Sequence, residues 1–515
     1  MDSETEGQRR PVVVTERGSV RGVTGEGGVA AFRGIPYAAS PVDALRFAPP
    51  APHPGWAGVR DAAHAGPEVP QAPSRLAVVM GPREPHGDED GCLTLNVWAP
   101  EGALEAGADP RAVLVWFHGG GFTTGSGGWD WYDGTRLAAL GGIVVVTANY
   151  RVGPLGWLYL PELGADNLGS RDQAAVLRWV RDNIASFGGD PALVTVGGQS
   201  AGAYCALCLA VDPGTHGLVR RMLAESGPWG LAPREPAEAA EVTAAYLRLL
   251  GVTHPPELRE LPAERLVSAY GRLSAERARP GDVAPPMHPV LGGAGLPRAP
   301  MAAVAAGGLD GTDVLLGSTQ DEMTAFRAAS PAGFPDAAGT ERVFGAGVTA
   351  IAAHCAERGR PAYAYRFTRR PPGDDGTLGA THCAELPFLF GDFAAYADAP
   401  MLGPVDDADR ALARAFGGAR AVAAVRAGDG RHGEAVRAAG SLTLPGDRTN
   451  IRTRDTLRAC RLQAMSETSS RIPTGPRPSR RAVRRPPSTR SGPLAPRARP
   501  RPRPRARWTA RGAGP

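Results

Sequence analysis

Two short segments of the chain carry residue types that together could transfer an acyl group. The first is HGGGF at 118–122, and the second is GQSAG at 198–202, centred on Ser200. In a G-x-S-x-G turn the flanking glycines allow a sharp bend that presents the serine hydroxyl as a nucleophile. Glycines in the first segment leave backbone N–H groups unshielded, so these groups can converge on a developing oxyanion. Either segment alone is equally consistent with an ordinary glycine turn, but the pair in this order indicates a serine hydrolase.

Both segments follow residues that predict a buried strand. Residues 113–117 form a continuous apolar run that ends where the first glycines begin, and 193–196 form a second β-rich run before Ser200. Residues 201–209 are rich in Ala and Leu and predict a helix. The serine therefore has the strand, turn and helix context that a nucleophilic turn requires.

Strands and helices alternate through the centre of the chain. Residues 170–187 place apolar side chains on one helical face. Further strands are predicted at 143–148, 222–224, 313–316 and 362–367. This alternation indicates an α/β protein with a mostly parallel central sheet flanked by helices. Residues 233–300 hold two helical stretches and are predicted to be an insertion over the sheet.

A serine hydroxyl needs a base to accept its proton, and that base needs a carboxylate to orient it. In α/β hydrolases the acid follows the serine and precedes the histidine. Residues 313–317 predict a strand that runs into a polar turn containing Asp321 and Glu322. Both carboxylates qualify by position, and the residues alone do not separate them.

Three histidines follow these carboxylates and are candidates for the base. His354 lies in a predicted helix, where a partly exposed structural role is ordinary, and His432 lies in a region without a clear pattern. His382 lies just beyond the predicted strand 362–367, on a loop from which a base could project. We therefore favour His382.

The charge of the chain is distributed unevenly. All 57 basic residues are arginine, and the formal net charge is +5. Fourteen arginines and no acidic residue lie in 471–515, which leaves 43 basic and 52 acidic residues before Arg471. The Arg- and Pro-rich segment 450–515 is predicted to be a disordered tail. It could bind nucleic acid or an anionic membrane, but we favour a shifted reading frame in GC-rich DNA as its origin.

Cysteine usage does not suggest a disulfide framework in a chain of 515 residues. Cys205 and Cys208 form a C-x-x-C without a second pair for zinc, so buried helical thiols are expected and no metal site. No apolar h-region is evident in the first thirty residues, and no run of eighteen apolar residues occurs elsewhere. These observations predict a cytoplasmic protein.

Several further segments resemble the type-B carboxylesterase family, which includes the cholinesterases and several bacterial esterases. They are FRGIPYA at 32–38, ED at 89–90 with CLTLNV at 92–97, NYR at 149–151 and FGGDP at 187–191. The resemblance covers about residues 18–230 and is patchier later, around 321–322 and 382–391. It implies the α/β-hydrolase fold, with helical insertions, and a bacterial type of esterase.

The resemblance also implies roles for individual residues. Ser200 would be the nucleophile, Glu322 the acid and His382 the general base. The oxyanion hole would consist of the backbone N–H groups of Gly120, Gly121 and Ala201. Hydrolysis would pass through an acyl-enzyme, with a small-molecule ester as substrate and no cofactor.

Aromatic residues after the glycine loop are candidates for the substrate pocket. In the family this loop lines the alcohol side, which implies that role for Trp129, Trp131 and Tyr132; ordinary packing is equally consistent with the residues. The chain does not indicate a preferred ester or an oligomeric state.

The chain departs from the family pattern in four places. Gly91 is inserted before Cys92, and Val69 stands where a cysteine is common, so that disulfide cannot form. His382 follows Glu322 by only sixty positions, which predicts a reduced helical lid. The pattern fades after about residue 417, and the closing strand and final helix are not recognisable. We therefore predict a hydrolase domain at 1–449.

Two alternatives to an active serine esterase are also consistent with the sequence. One is a non-catalytic binding protein on the same fold, although the three triad positions are all filled. The other is an impaired esterase whose C-terminus is not native.

Overall fold

A computed structural model describes residues 10–279, 283–330, 337–360, 362–425 and 449–452. All of them belong to one unit that spans Met1–Arg461. His432 and the predicted tail beyond Arg452 lie outside the described residues, as does Cys460.

Thirteen strands form two sheets among the described residues. Their bounds are β1 Val12–Thr15, β2 Gly18–Arg21, β3 Val23–Thr24, β4 Ala30–Pro36, β5 Val59–Asp61, β6 Thr94–Ala99, β7 Arg111–Phe117, β8 Val144–Ala148, β9 Gly189–Gln199, β10 Arg221–Glu225, β11 Asp313–Thr319, β12 Ala362–Phe367 and β13 Thr449–Arg452. A small sheet has the order β1-β2-β5, and the large one has the order β13-β12-β11-β10-β9-β7-β8-β6-β4-β3. The six strands from β12 to β8 in this order pair in parallel with one another. This confirms the predicted mostly parallel sheet.

Helices cover the sheet. Their bounds are α1 Ala77–Met80, α2 Thr135–Gly141, α3 Gly153–Trp157, α4 Leu168–Asn183, α5 Ala201–Val211, α6 Pro236–Leu250, α7 Ala263–Arg277, α8 Pro300–Ala305, α9 Met323–Ala329, α10 Ala337–Thr340, α11 Ala346–Glu357, α12 Leu386–Phe390 and α13 Asp407–Val425. A π-helical turn spans Glu341–Gly345. Short 3₁₀ turns occur at Glu26–Gly28, Asp43–Leu45, Asp130–Tyr132, Pro161–Leu163, Ile184–Phe187, His216–Leu218, Pro255–Glu260 and Ala394–Tyr396.

The central strands are buried on both faces, which explains their continuous apolar sequences. Along β7, Val113 and Val115 belong to one hydrophobic cluster. Leu114 and Trp116 belong to a second cluster. Because successive side chains of a strand point to opposite faces, the sheet separates two cores. This rigid centre positions the loops at the carboxyl ends of the strands.

The sequence-based strand and helix predictions agree closely with these elements. The helix predicted at 170–187 is α4 followed by the 3₁₀ turn Ile184–Phe187. The two helical stretches predicted within 233–300 are α6 and α7, which pack against each other. The region is therefore a helical insertion.

The C-terminal part of the described chain holds one helix and one strand near the predicted end of the domain. Helix α13 continues past residue 417, to Val425, and packs near α2, α12 and β7. Strand β13 pairs antiparallel with β12, with Ile451 opposite Tyr365. This strand begins at Thr449, the last residue of the predicted domain, and the domain boundary itself stays a prediction. A four-residue strand at a sheet edge depends on a partner that is distant in sequence, so its own sequence carries little signal.

The described cysteines are buried. Cys92, Cys205, Cys208, Cys355 and Cys383 are free thiols. Cys205 and Cys208 lie within α5, as predicted. In the part of the chain that the structure describes, no helix is both long and apolar enough to cross a membrane.

Candidate active site

Ser200 lies at the turn between β9 and α5. Its backbone has φ 56° and ψ −122°, a conformation that a residue with a side chain rarely adopts. The turn is held because the Ser200 N–H donates to the carbonyl of Glu225 at 2.9 Å, and the Ser200 carbonyl accepts from the N–H of Tyr204 at 3.0 Å. Strain of this kind persists only where the surroundings over-determine it, and it is common at functional sites.

The glycines on either side of Ser200 are sterically required. A Cβ on Gly198 would lie 2.4 Å from the carbonyl carbon of Gly202. A Cβ on Gly202 would lie 2.0 Å from the carbonyl oxygen of Phe117. Backbone atoms cannot move aside cheaply, so the turn packs against the end of β7 only with glycine at both positions.

His382 and Glu322 complete a chain of hydrogen bonds from Ser200. The Nε2 atom of His382 is 2.9 Å from the Ser200 hydroxyl, and its Nδ1 is 2.5 Å from Oε2 of Glu322. Both side chains are fully buried. Since a carboxylate can only accept, Nδ1 carries the proton and Nε2 is left as the acceptor for the serine hydroxyl.

Asp321, the other candidate acid, points elsewhere. Its Oδ2 accepts the N–H of Ala380 at 2.9 Å and is 3.6 Å from Arg370. Glu322 also uses its second oxygen, Oε1, to accept the N–H of Thr319 at 2.8 Å. The two adjacent carboxylates therefore have separate roles, and Glu322 faces the histidine.

The segment between Glu322 and His382 contributes to the histidine's surroundings. Phe326 of α9 lies with its ring centroid 5.2 Å from that of His382, and Phe344 of the π-helical turn lies at 5.1 Å. These rings pack against the imidazole and restrict its orientation. Two rings of this segment thus cover the base.

His354 lies on α11, half-buried, as the sequence predicts. It is not among the residues that line the catalytic cavity.

The glycine loop after β7 faces the serine. Gly119, Gly120 and Gly121 line a cavity of about 40 Å³ together with Ser200 and His382. Gly120 and Gly121 have φ of 113° and 60°, values that favour glycine. The cavity therefore brings the nucleophile, the base and two of the predicted oxyanion residues together.

Ala201 is the first residue of α5 and is buried. The first N–H groups of a helix have no partner within the helix and carry partial positive charge. Its N–H is therefore suited to an anion beside Ser200, although Ala201 is not among the residues that line the cavity.

His118 supports the glycine loop, a role that sequence reasoning did not assign. Its ring stacks on Tyr150 at 4.3 Å, and Nδ1 donates to the carbonyl of Gly119 at 2.8 Å. Burial lowers the pKa of His118 to about 4, so the ring is neutral at pH 7. The Tyr150 hydroxyl also donates to the His118 carbonyl at 2.7 Å. The HGGGF pattern contained the signal, because its histidine directly precedes the glycines.

Gln71 is a second support that the sequence did not reveal. Its Oε1 accepts from the Thr124 hydroxyl and from the N–H of Gly125, each at 2.5 Å. Its Nε2 donates to the Gly125 carbonyl at 3.0 Å. These bonds tie the far end of the glycine loop to the segment before α1.

The predicted aromatic residues line the catalytic cavity. Trp129, Trp131 and Tyr132 all contribute to its wall. Trp131 stacks on Tyr396 at 5.5 Å, and the indole N–H of Trp129 donates to Glu68 at 2.6 Å. The indoles are therefore fixed in orientation beside the nucleophile.

A buried acidic cluster lies behind His382. Glu385 accepts the Ser226 hydroxyl at 2.8 Å, and Glu225 pairs with Arg420 of α13 at 3.0 Å. Burial raises the pKa of Glu385 to about 8, and the charges of Glu322 and Glu225 act in the same direction. This cluster has no counterpart in the sequence-based prediction, because its members come from distant elements.

Within the described residues, no group of three or more His, Cys, Asp or Glu side chains is arranged to hold a metal ion.

The chain is similar to known esterases. A family model described as "Carboxylesterase family" matches residues 9–338, a range that holds Ser200 and Glu322 but not His382. Phenmedipham hydrolase of Pseudarthrobacter oxydans is 35% identical over 436 residues, which cover 77% of this chain and 86% of that protein. Para-nitrobenzyl esterase of Bacillus subtilis is 41% identical over 317 residues, covering 60% of this chain and 63% of that protein.

A solved structure shares the fold. The carboxylesterase EST55 of Geobacillus stearothermophilus, determined at pH 6.2, superposes with a TM-score of 0.72 at 34% identity. The match covers 87% of this chain and 95% of that one.

Proposed function

We propose a catalytic mechanism for this chain, which belongs to the carboxylesterase family and is a carboxylic-ester hydrolase. In the proposal Ser200 is the nucleophile, His382 the general base and Glu322 the acid that orients it. The hydrogen-bond chain from the Ser200 hydroxyl through His382 to Glu322 is the observation that supports it most strongly.

The first half-reaction acylates the serine. As Ser200 Oγ attacks the ester carbonyl, Nε2 of His382 accepts its proton across the 2.9 Å contact. Glu322 stabilises the imidazolium that forms. The N–H groups of Gly120, Gly121 and Ala201 donate to the oxyanion, each contributing on the order of 10²- to 10³-fold in rate. His382 then protonates the departing alcohol, and the bond between carbonyl carbon and alcohol oxygen breaks.

The second half-reaction releases the acid. Water attacks the acyl-enzyme while His382 accepts one of its protons, and the bond to Ser200 Oγ breaks with return of that proton to the serine. The products are a carboxylic acid and an alcohol, and no cofactor is consumed.

The test is hydrolysis of a short-acyl aryl ester by the parent and by Ser200→Ala. We expect the substitution to abolish turnover, while Ser186→Ala, a control at an exposed serine, should retain it. Turnover that survives loss of Ser200 would overturn the mechanism.

A serine-directed fluorophosphonate gives a second readout. The parent should be labelled on the peptide that contains Ser200. A folded protein that shows neither label nor turnover would instead favour the non-catalytic binding protein or the impaired esterase.

The origin of the C-terminal segment is open to a direct test at the DNA level. Re-sequencing the coding DNA near Gly417 would test for a shifted reading frame. If the frame is shifted there, another frame should encode the missing family segment. Binding of nucleic acid or anionic membrane by residues 471–515 stays a prediction. It would be supported if the protein is retained on DNA or on anionic vesicles and this retention falls steeply with salt.

We further propose that the protein resides in the cytoplasm. The five described cysteines are free thiols, which suits a reducing compartment. Cell fractionation with an antibody to the chain would test this, and recovery in the extracellular medium would contradict it.

A further inference from the structure

The carboxyl end of β10 contacts both halves of the candidate site. Its last residue, Glu225, accepts the N–H of Ser200 with its backbone carbonyl at 2.9 Å. The next residue, Ser226, donates its hydroxyl to Glu385 at 2.8 Å, and Glu385 follows His382 by three positions. Two consecutive residues therefore link the turn that carries the nucleophile to the loop that carries the base.

Strained backbone flanks this link. Ser200 has φ 56° and Ser226 has φ 51°, values that a residue with a side chain rarely adopts. The Ser226 N–H donates to the carbonyl of Gly317 on β11 at 2.8 Å. Such conformations persist only where the surroundings over-determine them. Glu225 binds one of the strained residues and is covalently joined to the other, so a contact that fixes Glu225 helps to hold both.

The side chain of Glu225 is anchored by helix α13. Its Oε1 accepts the Nε–H of Arg420 at 3.0 Å, and the exposed fractions of the two side chains are 0% and 2%. Burial raises the pKa of Glu225, whereas the charge and the hydrogen bond of Arg420 act in the opposite direction and favour the carboxylate. Arg420 therefore supplies a cation that keeps this buried carboxylate in place.

Arg420 is itself held in one orientation. Its Nη1 donates to the carbonyl of Phe416, one turn earlier in α13, at 3.1 Å. Its guanidinium carbon lies 4.2 Å from the ring centroid of Tyr365 on β12, a distance at which cation–π attraction acts. Helix α13 also packs near β9, the strand that leads into Ser200. Arg420 therefore reaches Glu225 from a fixed position in the core.

We propose that Arg420 is a positioning residue of the active site, which acts through Glu225 to hold Ser200 and the loop of His382 in register. The inference rests on the proposed ester hydrolysis at Ser200. Because Arg420 lies beyond residue 417, where the family pattern fades, helix α13 is then part of the catalytic machinery.

The proposal predicts an effect on kcat rather than on KM. A displacement of about 1 Å between reacting groups can lower a rate by about 10²-fold. We therefore expect loss of the anchor to lower kcat by about 10²-fold. KM should stay close to the parent value, because neither Glu225 nor Arg420 is among the residues that line the catalytic cavity.

The test separates the effect on rate from the effect on folding. Arg420→Met leaves Glu225 buried without its cation, so this variant should be strongly destabilised. In Glu225→Gln/Arg420→Met both charges are removed, and such a replacement of a buried ion pair is often close to neutral for stability. The double variant should therefore unfold in urea near the parent midpoint, yet keep kcat about 10²-fold below the parent on a short-acyl aryl ester. Labelling of Ser200 by the fluorophosphonate should slow by a similar factor, because it requires the same activated hydroxyl.

The matched control is Arg369→Met/Asp409→Asn. Arg369 and Asp409 form another ion pair with α13, 2.8 Å apart, and their exposed fractions are 1% and 2%. Neither residue lines the catalytic cavity, so their substitution should leave kcat close to the parent value.

Two results would overturn the inference while leaving ester hydrolysis at Ser200 intact. One is a parent-like kcat in Glu225→Gln/Arg420→Met, which would mean that the pair only stabilises the fold. The other is an equal loss of kcat in both double variants. Absence of Ser200-dependent turnover in the parent would instead overturn the proposed function, and this inference with it.

Discussion

The two halves of the candidate site are built in different ways. The nucleophile half, residues 118–202, depends on backbone atoms so close together that Gly198 and Gly202 admit no side chain. The acid–base half, residues 319–385, depends on a side-chain hydrogen bond between Glu322 and His382, which come from different loops. One half is fixed by steric exclusion between backbone atoms, and the other by a hydrogen bond between side chains. The first should therefore fail through loss of folding, and the second through loss of rate in a folded protein.

The largest effect is expected from His382→Ala in the acid–base half. Without a base the serine keeps its proton, and kcat should fall by about 10⁵- to 10⁶-fold while circular dichroism still reports a folded protein. His354→Ala is the control, because this half-buried histidine on α11 does not line the catalytic cavity. Equal losses in the two variants would contradict the assignment of the base.

The next largest effect should distinguish the two adjacent carboxylates, Glu322 and Asp321. Glu322→Gln should lower kcat by about 10⁴-fold, because the amide no longer stabilises the imidazolium. Asp321→Asn should mainly affect stability, since Asp321 binds the backbone of Ala380 rather than the histidine. Steady-state kinetics and thermal unfolding of both variants would check this split. A greater loss of kcat in Asp321→Asn would show that the acid is misassigned.

The nucleophile half should respond through stability. In Gly202→Ala the new Cβ would overlap the Phe117 carbonyl, at 2.0 Å, and we expect a loss of about 3 kcal/mol in the free energy of unfolding. Gly217→Ala is the control, because a Cβ there would meet no atom within 4 Å. Urea unfolding measures both. A Gly202→Ala protein as stable as the parent would contradict the steric requirement for glycine at this position.

The smallest effect concerns pH and Glu385. An ordinary glutamate has a pKa of 4.5, and burial raises that of Glu385 to about 8. The folded protein therefore keeps a proton that the unfolded chain releases, and stability falls as pH rises from about 4.5 to about 8. Glu385→Gln cannot ionise, so its stability should rise relative to the parent across this window, by at most about 1.4 kcal/mol per pH unit.

Urea unfolding at several pH values measures this difference. Around Glu385 lie Glu225, Arg420, Glu322 and His382, and the variant leaves all four in place. If the difference in the free energy of unfolding between the parent and Glu385→Gln does not change with pH, Glu385 ionises in the folded protein as it does in the unfolded chain.

The nucleophile half was predictable because its determinants are local. The run at 113–117 and the glycines around Ser200 describe a strand and a turn without reference to distant residues. The observed strands are longer than predicted. Strand β9 begins at Gly189, whose backbone pairs with Arg111 of β7. Strand ends depend on what the neighbouring strand offers, which a single segment does not encode.

The acid–base half was less predictable for the same reason. Position alone left Asp321 and Glu322 open, and only the resemblance favoured Glu322. The deciding fact is which carboxylate turns toward Thr319 and His382. The pairing of Arg420 with Glu225 joins residues 195 positions apart. Such pairs form only after the chain has folded, so no local sequence pattern predicts them.

The small volume of the catalytic cavity also has a consequence for the fate of the acyl group. About 40 Å³ admits only a few water molecules. Once the first alcohol has left, whatever enters this space receives the acyl group, and methanol is small enough to enter. We expect added methanol to divert product from the free acid to the methyl ester, in proportion to its concentration; formation of free acid alone would contradict this. The ratio of methyl ester to free acid then measures how often methanol rather than water enters the cavity.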